Sequence, residues 1–193
     1  MQQEREAKFL GVDPKAIREK LRALGATRVQ PEQLMRRTVF DFSDRQPCRQ
    51  GSWIRVRDEG DRVTLSFKQV TGTGIEDMQE VELVVDDFER AGRLLAALGY
   101  QQKAYQETKR EKWVFRKAEI TIDTWPGLRP FVEIEASDEE TVKSVAVQLD
   151  FDYRNALFGS VDVVYERELG ITPDEINHET PHLTFENPPR SRR

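Results

Sequence analysis

Residues 53–68 read Trp53-Ile54-Arg55-Val56-Arg57-Asp58-Glu59-Gly60-Asp61-Arg62-Val63-Thr64-Leu65-Ser66-Phe67-Lys68. On either side of Glu59-Gly60-Asp61, side chains alternate between two characters. Arg55, Arg57, Thr64, Ser66 and Lys68 fall on one parity, and Val56, Leu65 and Phe67 fall on the other. A two-residue period is that of a β-strand with one apolar face. The stretch therefore predicts two strands, Trp53 to Asp58 and Val63 to Gln69, broken at the Gly60 turn. An ordinary half-exposed strand has a mixed polar face, whereas here like charges gather on it.

The same alternation recurs outward in both directions. Glu4, Glu6 and Lys8 alternate with Arg5, Ala7 and Phe9, which predicts a strand over residues 4 to 10. Asp13-Pro14 then reads as an N-cap with proline in the first turn of a helix, whose stripe Ile17, Leu21, Leu24 stops at Gly25. A further strand is expected from Gln33 to Phe42, ahead of a break at Pro47 and Gly51. After the loop Thr71-Gly72-Thr73-Gly74 the scheme repeats: a strand Gln79 to Val85, a helix Asp87 to Leu98 stopped by Gly99, then strands Gln102 to Phe115, Glu119 to Thr124 and Phe131 to Ala136. Tight and looser turns are expected at Lys117-Ala118 and Pro126-Gly127. Leu21-Arg22-Ala23-Leu24-Gly25 and Leu95-Ala96-Ala97-Leu98-Gly99 close the two helices alike. The reading is two β-α-β-β-β halves whose eight strands pair into one antiparallel sheet. Ser137 and Glu140 form a capping-box pattern opening a helix to about Leu149, and another helix is expected from Val161 to Leu169. Residues 1–170 read as one domain, and 171–193 as a C-terminal tail ending in the disordered-looking Pro-Pro-Arg-Ser-Arg-Arg.

Composition narrows the classes. The chain has 193 residues, 34% of them charged, with 35 acids against 30 bases and a net charge of −5, which argues against a dedicated nucleic-acid binder. Its one cysteine, Cys48, supports neither an internal disulfide nor a Cys-based zinc site and suits a reducing compartment. No window approaches 18 uninterrupted apolar residues, and MQQEREAKF opens on charges, so a soluble, cytoplasmic protein without membrane attachment is expected. His178 and His182 are split by Pro181 and lack a third ligand nearby, and Gly72-Thr73-Gly74 lacks the Gly-Lys-Ser/Thr of a P-loop, so neither predicts a site.

Collected strand by strand, one face carries Glu4, Glu6, Lys8; Arg37, Asp41; Arg55, Arg57; Thr64, Ser66, Lys68; Glu80, Glu82; Arg110, Lys112; Glu119, Thr121, Asp123; Glu133 and Glu135. The other holds Trp53, Val56, Leu65, Phe67, Val81, Leu83, Ile120, Ile122, Val132 and Ile134. Two readings of such a face are open: a solvated sheet surface laced with cross-strand pairs, or the polar interior of a sheet curled into a barrel with its helices outside. Like charges close together on a concave face repel by several kcal/mol per pair at an effective dielectric near 20, so each cluster needs a counter-charge. Clustered carboxylates suit Mg²⁺ or Mn²⁺, and clustered Arg and Lys suit phosphate oxygens. Together they point to a polyphosphate bound with a metal.

These residues resemble the CYTH superfamily of triphosphate tunnel metalloenzymes, which includes class IV adenylate cyclases, thiamine triphosphatases and inorganic triphosphatases. The family's ExExK stands as Glu4-Arg5-Glu6-Ala7-Lys8, its R-x-R strand as Arg55-Val56-Arg57, and its following lysine strand as Leu65-Ser66-Phe67-Lys68. Its fifth-strand E-x-E is Glu80-Val81-Glu82, its R-x-x-aromatic is Arg110-Glu111-Lys112-Trp113, and its D then E-x-E ending is Asp123 with Glu133-Ile134-Glu135. The resemblance runs from about residue 3 to residue 169. It implies an α+β fold: an eight-stranded antiparallel β-barrel, or tunnel, with a charged interior and helices packed outside. It further implies that Glu4, Glu6, Glu133 and Glu135, with Asp123 nearby, hold Mg²⁺ or Mn²⁺, and that Lys8, Arg55, Arg57, Lys68 and Arg110 grip phosphates. Arg37 joins them from the alternating pattern, and Glu80 and Glu82 are supporting residues that orient the cations or a second metal. Glu4, Glu6 and Lys8 are the catalytic expectation, with Glu4, Glu6 or Glu133 handling the attacking water. Two positions depart from the family pattern: Thr108 stands where a lysine is common and Met78 where an arginine is common.

The function this implies is metal-dependent hydrolysis of a small molecule bearing a triphosphate, whether inorganic triphosphate, thiamine triphosphate or a nucleoside triphosphate, by a monomer or homodimer. ATP cyclisation to cyclic AMP and pyrophosphate is the alternative within the family. A non-catalytic polyphosphate-binding module is the alternative outside it. An aromatic clamp for an organic substituent would come from Trp53, Trp113 or Trp125.

Overall fold

The computed structural model describes residues 2–42, 51–72, 74–75 and 77–192, with the side chains of residues 2–4 excepted. Cys48 and Thr73 lie outside this set. The first half comprises β1 (Gln2–Phe9), α1 (Pro14–Ala23), β2 (Thr27–Asp41), β3 (Ser52–Asp58) and β4 (Val63–Val70). The second comprises β5 (Met78–Val85), α2 (Phe88–Ala97), β6 (Gln101–Phe115), β7 (Ala118–Thr124) and β8 (Phe131–Ala136). There follow α3 (Glu139–Gln148), α4 (Asp162–Leu169), α5 (Pro173–His178) and the short β9 (His182–Leu183).

The strand order is β2-β3-β4-β5-β1-β8-β7-β6, and β2 also pairs with β6, so eight antiparallel strands close on themselves. The two halves enter this ring equivalently. β2 and β6 pair with each other from Thr27↔Val114 to Asp41↔Gln101, and β1 and β5 pair with each other through the shorter run Gln2↔Glu80 to Glu4↔Met78. Exchanging the halves therefore maps the ring onto itself, as expected of a duplicated β-α-β-β-β unit. The matching helix ends agree: Gly25 and Gly99 both take positive φ, +77° and +92°, and stop α1 and α2 in the left-handed conformation glycine adopts without strain.

The apolar parity faces outward and the helices cover most of it, Val81 and Leu83 on β5 staying exposed. Ile17 and Leu21 of α1 and Val142, Val145 and Ala146 of α3 bury Ala7, Phe9, Trp113, Ile120, Ile122, Val132 and Ile134. Ala91 and Leu95 of α2 cover Phe40, Ile54 and Val56. Strands built this way have nowhere to put their charged parity except the inside of the ring. Residues 171–192, which carry little periodic signal, nonetheless fold: Ile171, Ile176 and Leu183 are buried with Trp125, Leu128, Phe131 and Tyr165, β9 pairs in parallel with β6 at Tyr105 and Gln106, and the Arg192 amide donates to Leu169 at 2.9 Å.

Some local expectations shift. β2 begins at Thr27 and not Gln33, because register shifts between Arg28 and Gln30 and between Gln30 and Gln33 absorb Pro31, whose missing N–H would otherwise end pairing. The cap of α3 is Asp138, accepting from Thr141 N, in place of the Ser137–Glu140 box. The turn between β6 and β7 is Arg116-Lys117, with Ala118 already in β7. Trp53 shares the parity of Arg55 and lines the interior, not the apolar face.

Candidate functional site

Within the ring lies a cavity of about 1020 Å³. Of the predicted site residues, Glu6, Lys8, Arg37, Arg55, Arg57, Lys68, Glu80, Glu82, Arg110, Glu133 and Glu135 line it. Glu4 is placed by its backbone pairing with Met78, while its side chain lies outside the described set. Asp123 is fully buried behind the lining, where Arg110 Nε donates to it at 2.7 Å and a guanidinium Nη grips its second oxygen. Its place is that of a group orienting Arg110. Of the three tryptophans, Trp53 and Trp125 line the cavity. Trp113, 2% exposed, packs outside the ring and donates its Nε1 to Glu111 at 2.7 Å.

The charges are sorted by wall. Arg37 on β2, Arg55 and Arg57 on β3, and Lys68 on β4 make a basic wall. Glu6 on β1, Glu133 and Glu135 on β8, and Glu119 on β7 make an acidic one. Glu6 is the register partner of Glu135, and Glu135 that of Glu119, so three carboxylates form a row across three neighbouring strands. Burial, and then the Glu6 and Glu119 carboxylates, push the Glu135 carboxyl up to about 7. Glu133, one step along β8, is in a different position. Burial works against its charge, but Lys8 at 3.5 Å and Arg110 at 2.7 Å hold it below the usual carboxylate range. Lys8, itself buried, is kept charged by Glu6 at 2.6 Å and by Glu133, and it also donates to the Gly159 carbonyl.

On the basic wall, Arg55 reaches Glu80 at 3.1 Å and Glu82 at 3.3 Å, and Lys68 reaches Glu80 at 3.2 Å, so the second-half E-x-E supports the cations. Arg57 pairs with Glu59, a buried glutamate in the β3–β4 turn. Burial would raise Glu59, yet Arg57, Lys112 and Arg62 hold it at about 2. Burial, followed by Arg55 and Arg110, brings Arg57 down to about 10; for an arginine this marks crowded positive charge and not a neutral side chain. Thr64, Ser66 and Thr121 present hydroxyl oxygens without partners. The two departures also find places: Met78 lines the cavity, and Thr108 Oγ1 donates to the Thr124 carbonyl at 3.1 Å. Residues given no role from sequence are Lys112, Glu119 and Thr121, although their parity was visible, and Glu59, whose turn position gave no signal. Gly159, Ser160, Asp162 and Asn177 also line the cavity, brought there by the C-terminal segment.

This ordered set of cations and carboxylates inside an eight-stranded ring coincides with a profile match to the CYTH domain over residues 2–164. The chain belongs to the CYTH family. Solved CYTH-like folds agree. A chain from Vibrio parahaemolyticus described as "a putative adenylate cyclase" superposes with a TM-score of 0.70 at 16% identity, over 86% of this chain and 98% of that one. A conserved hypothetical protein from Pyrococcus furiosus gives 0.65 at 22% identity, over 79% and 94%. A chain from Hippeastrum, described as a "putative adenylyl cyclase" that "reveals a dominant" triphosphatase activity, gives 0.56 at 16%, over 86% and 95%. At these identities the likeness is one of fold. A comparison with functionally curated proteins gives no significant match. Among the described residues no helix is long and apolar enough to cross a membrane.

A divalent cation of the kind the family implies fits by donor chemistry. The Glu6, Glu135, Glu119 row supplies hard oxygen donors whose mutual repulsion a cation relieves. No three acidic or imidazole side chains among the described residues converge on one point tightly enough to enclose an ion. That suits Mg²⁺, which is commonly held by one or two carboxylates and completed by phosphate oxygens and water.

Proposed function

We propose that this CYTH protein hydrolyses the terminal phosphoanhydride of a small molecule bearing a triphosphate. The observation that carries the reading is the pairing, inside one cavity, of a basic wall on β2, β3 and β4 with a carboxylate row on β1, β8 and β7. Arg55, Arg57, Lys68, Lys8 and Arg110 bind and align the phosphate chain, and Asp123 and Glu133 keep Arg110 charged and directed inward. Glu6 and Glu119, with the phosphate oxygens, would hold Mg²⁺ or Mn²⁺, which when bound neutralises charge developing on the phosphoryl oxygens. Water attacks the terminal phosphorus, the anhydride P–O bond breaks, and orthophosphate leaves the remaining diphosphate behind. A carboxylate accepts the proton of that water. Glu135, in the carboxylate row beside Glu6 and Glu119, is placed for this task, whereas Glu133 is engaged by Lys8 and Arg110.

³¹P NMR of the protein with tripolyphosphate and with ATP, in Mg²⁺ and in Mn²⁺, tests this. Orthophosphate and pyrophosphate from tripolyphosphate are expected, and Glu135→Gln should lose that turnover. Cyclic AMP and pyrophosphate from ATP would replace the reading with the cyclase. Unchanged substrates despite metal-dependent line broadening would leave a binding module.

A further inference from the structure

Each lysine or arginine of the cavity has a carboxylate within ion-pairing reach, with one exception among the described residues. Lys8, Arg55, Arg57, Arg62, Lys68, Lys103, Arg110 and Lys112 are paired. Arg37 is not. It is 7% exposed, and its Nε and one Nη have no hydrogen-bond partner. Its guanidinium lies 4.4 Å from the centroid of the Trp125 ring. That indole is also buried, and its Nε1 likewise lacks a partner. The platform is held from behind: Tyr165 meets Trp125 edge-on at 6.5 Å, and the Tyr165 hydroxyl donates to the Pro126 carbonyl at 2.8 Å.

A buried guanidinium with open donors and no carboxylate within ion-pairing distance is costly unless an anion completes it. Arg55, Arg57 and Arg110 deepen the local positive field, and Asp123, which offsets part of it, is already gripped by Arg110. In the ring order, β2 stands four strands from β1 in either direction, so Arg37 lies across the barrel from Glu6. We propose that Arg37, stacked on Trp125, is an anion subsite that takes the phosphoryl group furthest from the carboxylate row, and so makes this chain select three linked phosphoryl groups over two. The inference rests on the phosphate-binding reading of the tunnel and adds the residue pair that measures chain length. Arg37 aligns donors along a face, Trp125 prevents it from swinging to a carboxylate of the opposite wall, and the open indole N–H adds a donor beside it.

Calorimetric titration with the non-hydrolysable analogues diimidotriphosphate and imidodiphosphate, in Mg²⁺, tests the proposal. Loss of a charge-assisted contact predicts that Arg37→Gln weakens diimidotriphosphate binding about 10- to 100-fold, with a much smaller effect on imidodiphosphate. Equal weakening of both, or none, overturns it. Tryptophan emission provides an arm that does not depend on the folding of that variant. Diimidotriphosphate should change the emission of the wild type by more than that of Trp125→Phe, in which Trp53 is the remaining tryptophan of the lining, whereas an identical change in both counts against the subsite. Wild-type protein that binds diimidotriphosphate tightly but does not turn over tripolyphosphate removes the hydrolase and leaves the subsite standing. Wild-type protein that binds neither analogue removes both.

Discussion

Glu135→Gln in the metal-free protein isolates the electrostatic tension of the carboxylate row. The carboxyl titrates near 7 in the folded protein, against an ordinary 4.5, chiefly through burial and then through Glu6 and Glu119. The folded state therefore holds this proton more tightly than the unfolded chain does. Below about pH 4.5 both states are protonated and there is no penalty. Between 4.5 and 7 the unfolded chain releases its proton first and stability falls, and above 7 the full difference is lost. At 1.36 kcal/mol for each pKa unit the loss is about 3 kcal/mol at pH 8 and under about 1 kcal/mol at pH 5. Glutamine keeps the shape of the side chain and removes the charge, so the variant should be more stable than the wild type at pH 8 by about that amount. For a chain of this length that is about 6–12 °C in melting temperature. The assay is thermal unfolding in EDTA at both pH values. A melting temperature unchanged at pH 8, or a gain as large at pH 5 as at pH 8, would refute the reasoning, since the second result signals packing and not charge. Adding Mg²⁺ at pH 8 should stabilise the wild type more than the variant, because the cation relieves the same repulsion.

Two further expectations concern buried residues outside the tunnel lining. Glu59→Ala leaves Arg57 without its closest acid and should cost about 3 kcal/mol in denaturant unfolding at pH 7; because Glu59 is held at about 2, its contribution is present above pH 4.5 and fades as pH falls toward 2, so wild type and variant should converge on acidification. Leu183→Ala in β9, a fully buried side chain in the Trp125 and Tyr165 cluster, should cost about 2–5 kcal/mol by the same measurement, and a loss under about 1 kcal/mol would mean that the C-terminal segment is not docked on the barrel.

What the sequence by itself determined is the face on which each residue stands. Alternation in Glu4-Arg5-Glu6-Ala7-Lys8, in Arg55-Val56-Arg57 and in Glu133-Ile134-Glu135 is a local property, because successive side chains of a strand point to opposite sides whatever the strand pairs with. The repeat was legible for the same reason: helix stops at Gly25 and Gly99 depend on their own turns. Partner choice is not local. Whether Glu119 joins Glu6 and Glu135 depends on the register of β7, β8 and β1, set by closure of the ring. Asp123 looks from sequence like one more acid on the charged face, and only the β6–β7 register, which places it opposite Arg110, gives it to an arginine. Arg37 reads as one cation among several, until the ring places the other described cations of the cavity beside an acid and the C-terminal helices set Trp125 beneath this one. Strand parity follows from the chain's own covalent geometry, whereas the counter-charge each side chain meets follows from which strands pair, whether they lie near in the chain, as Arg110 and Asp123 do, or more than a hundred residues apart, as Lys8 and Glu133 do.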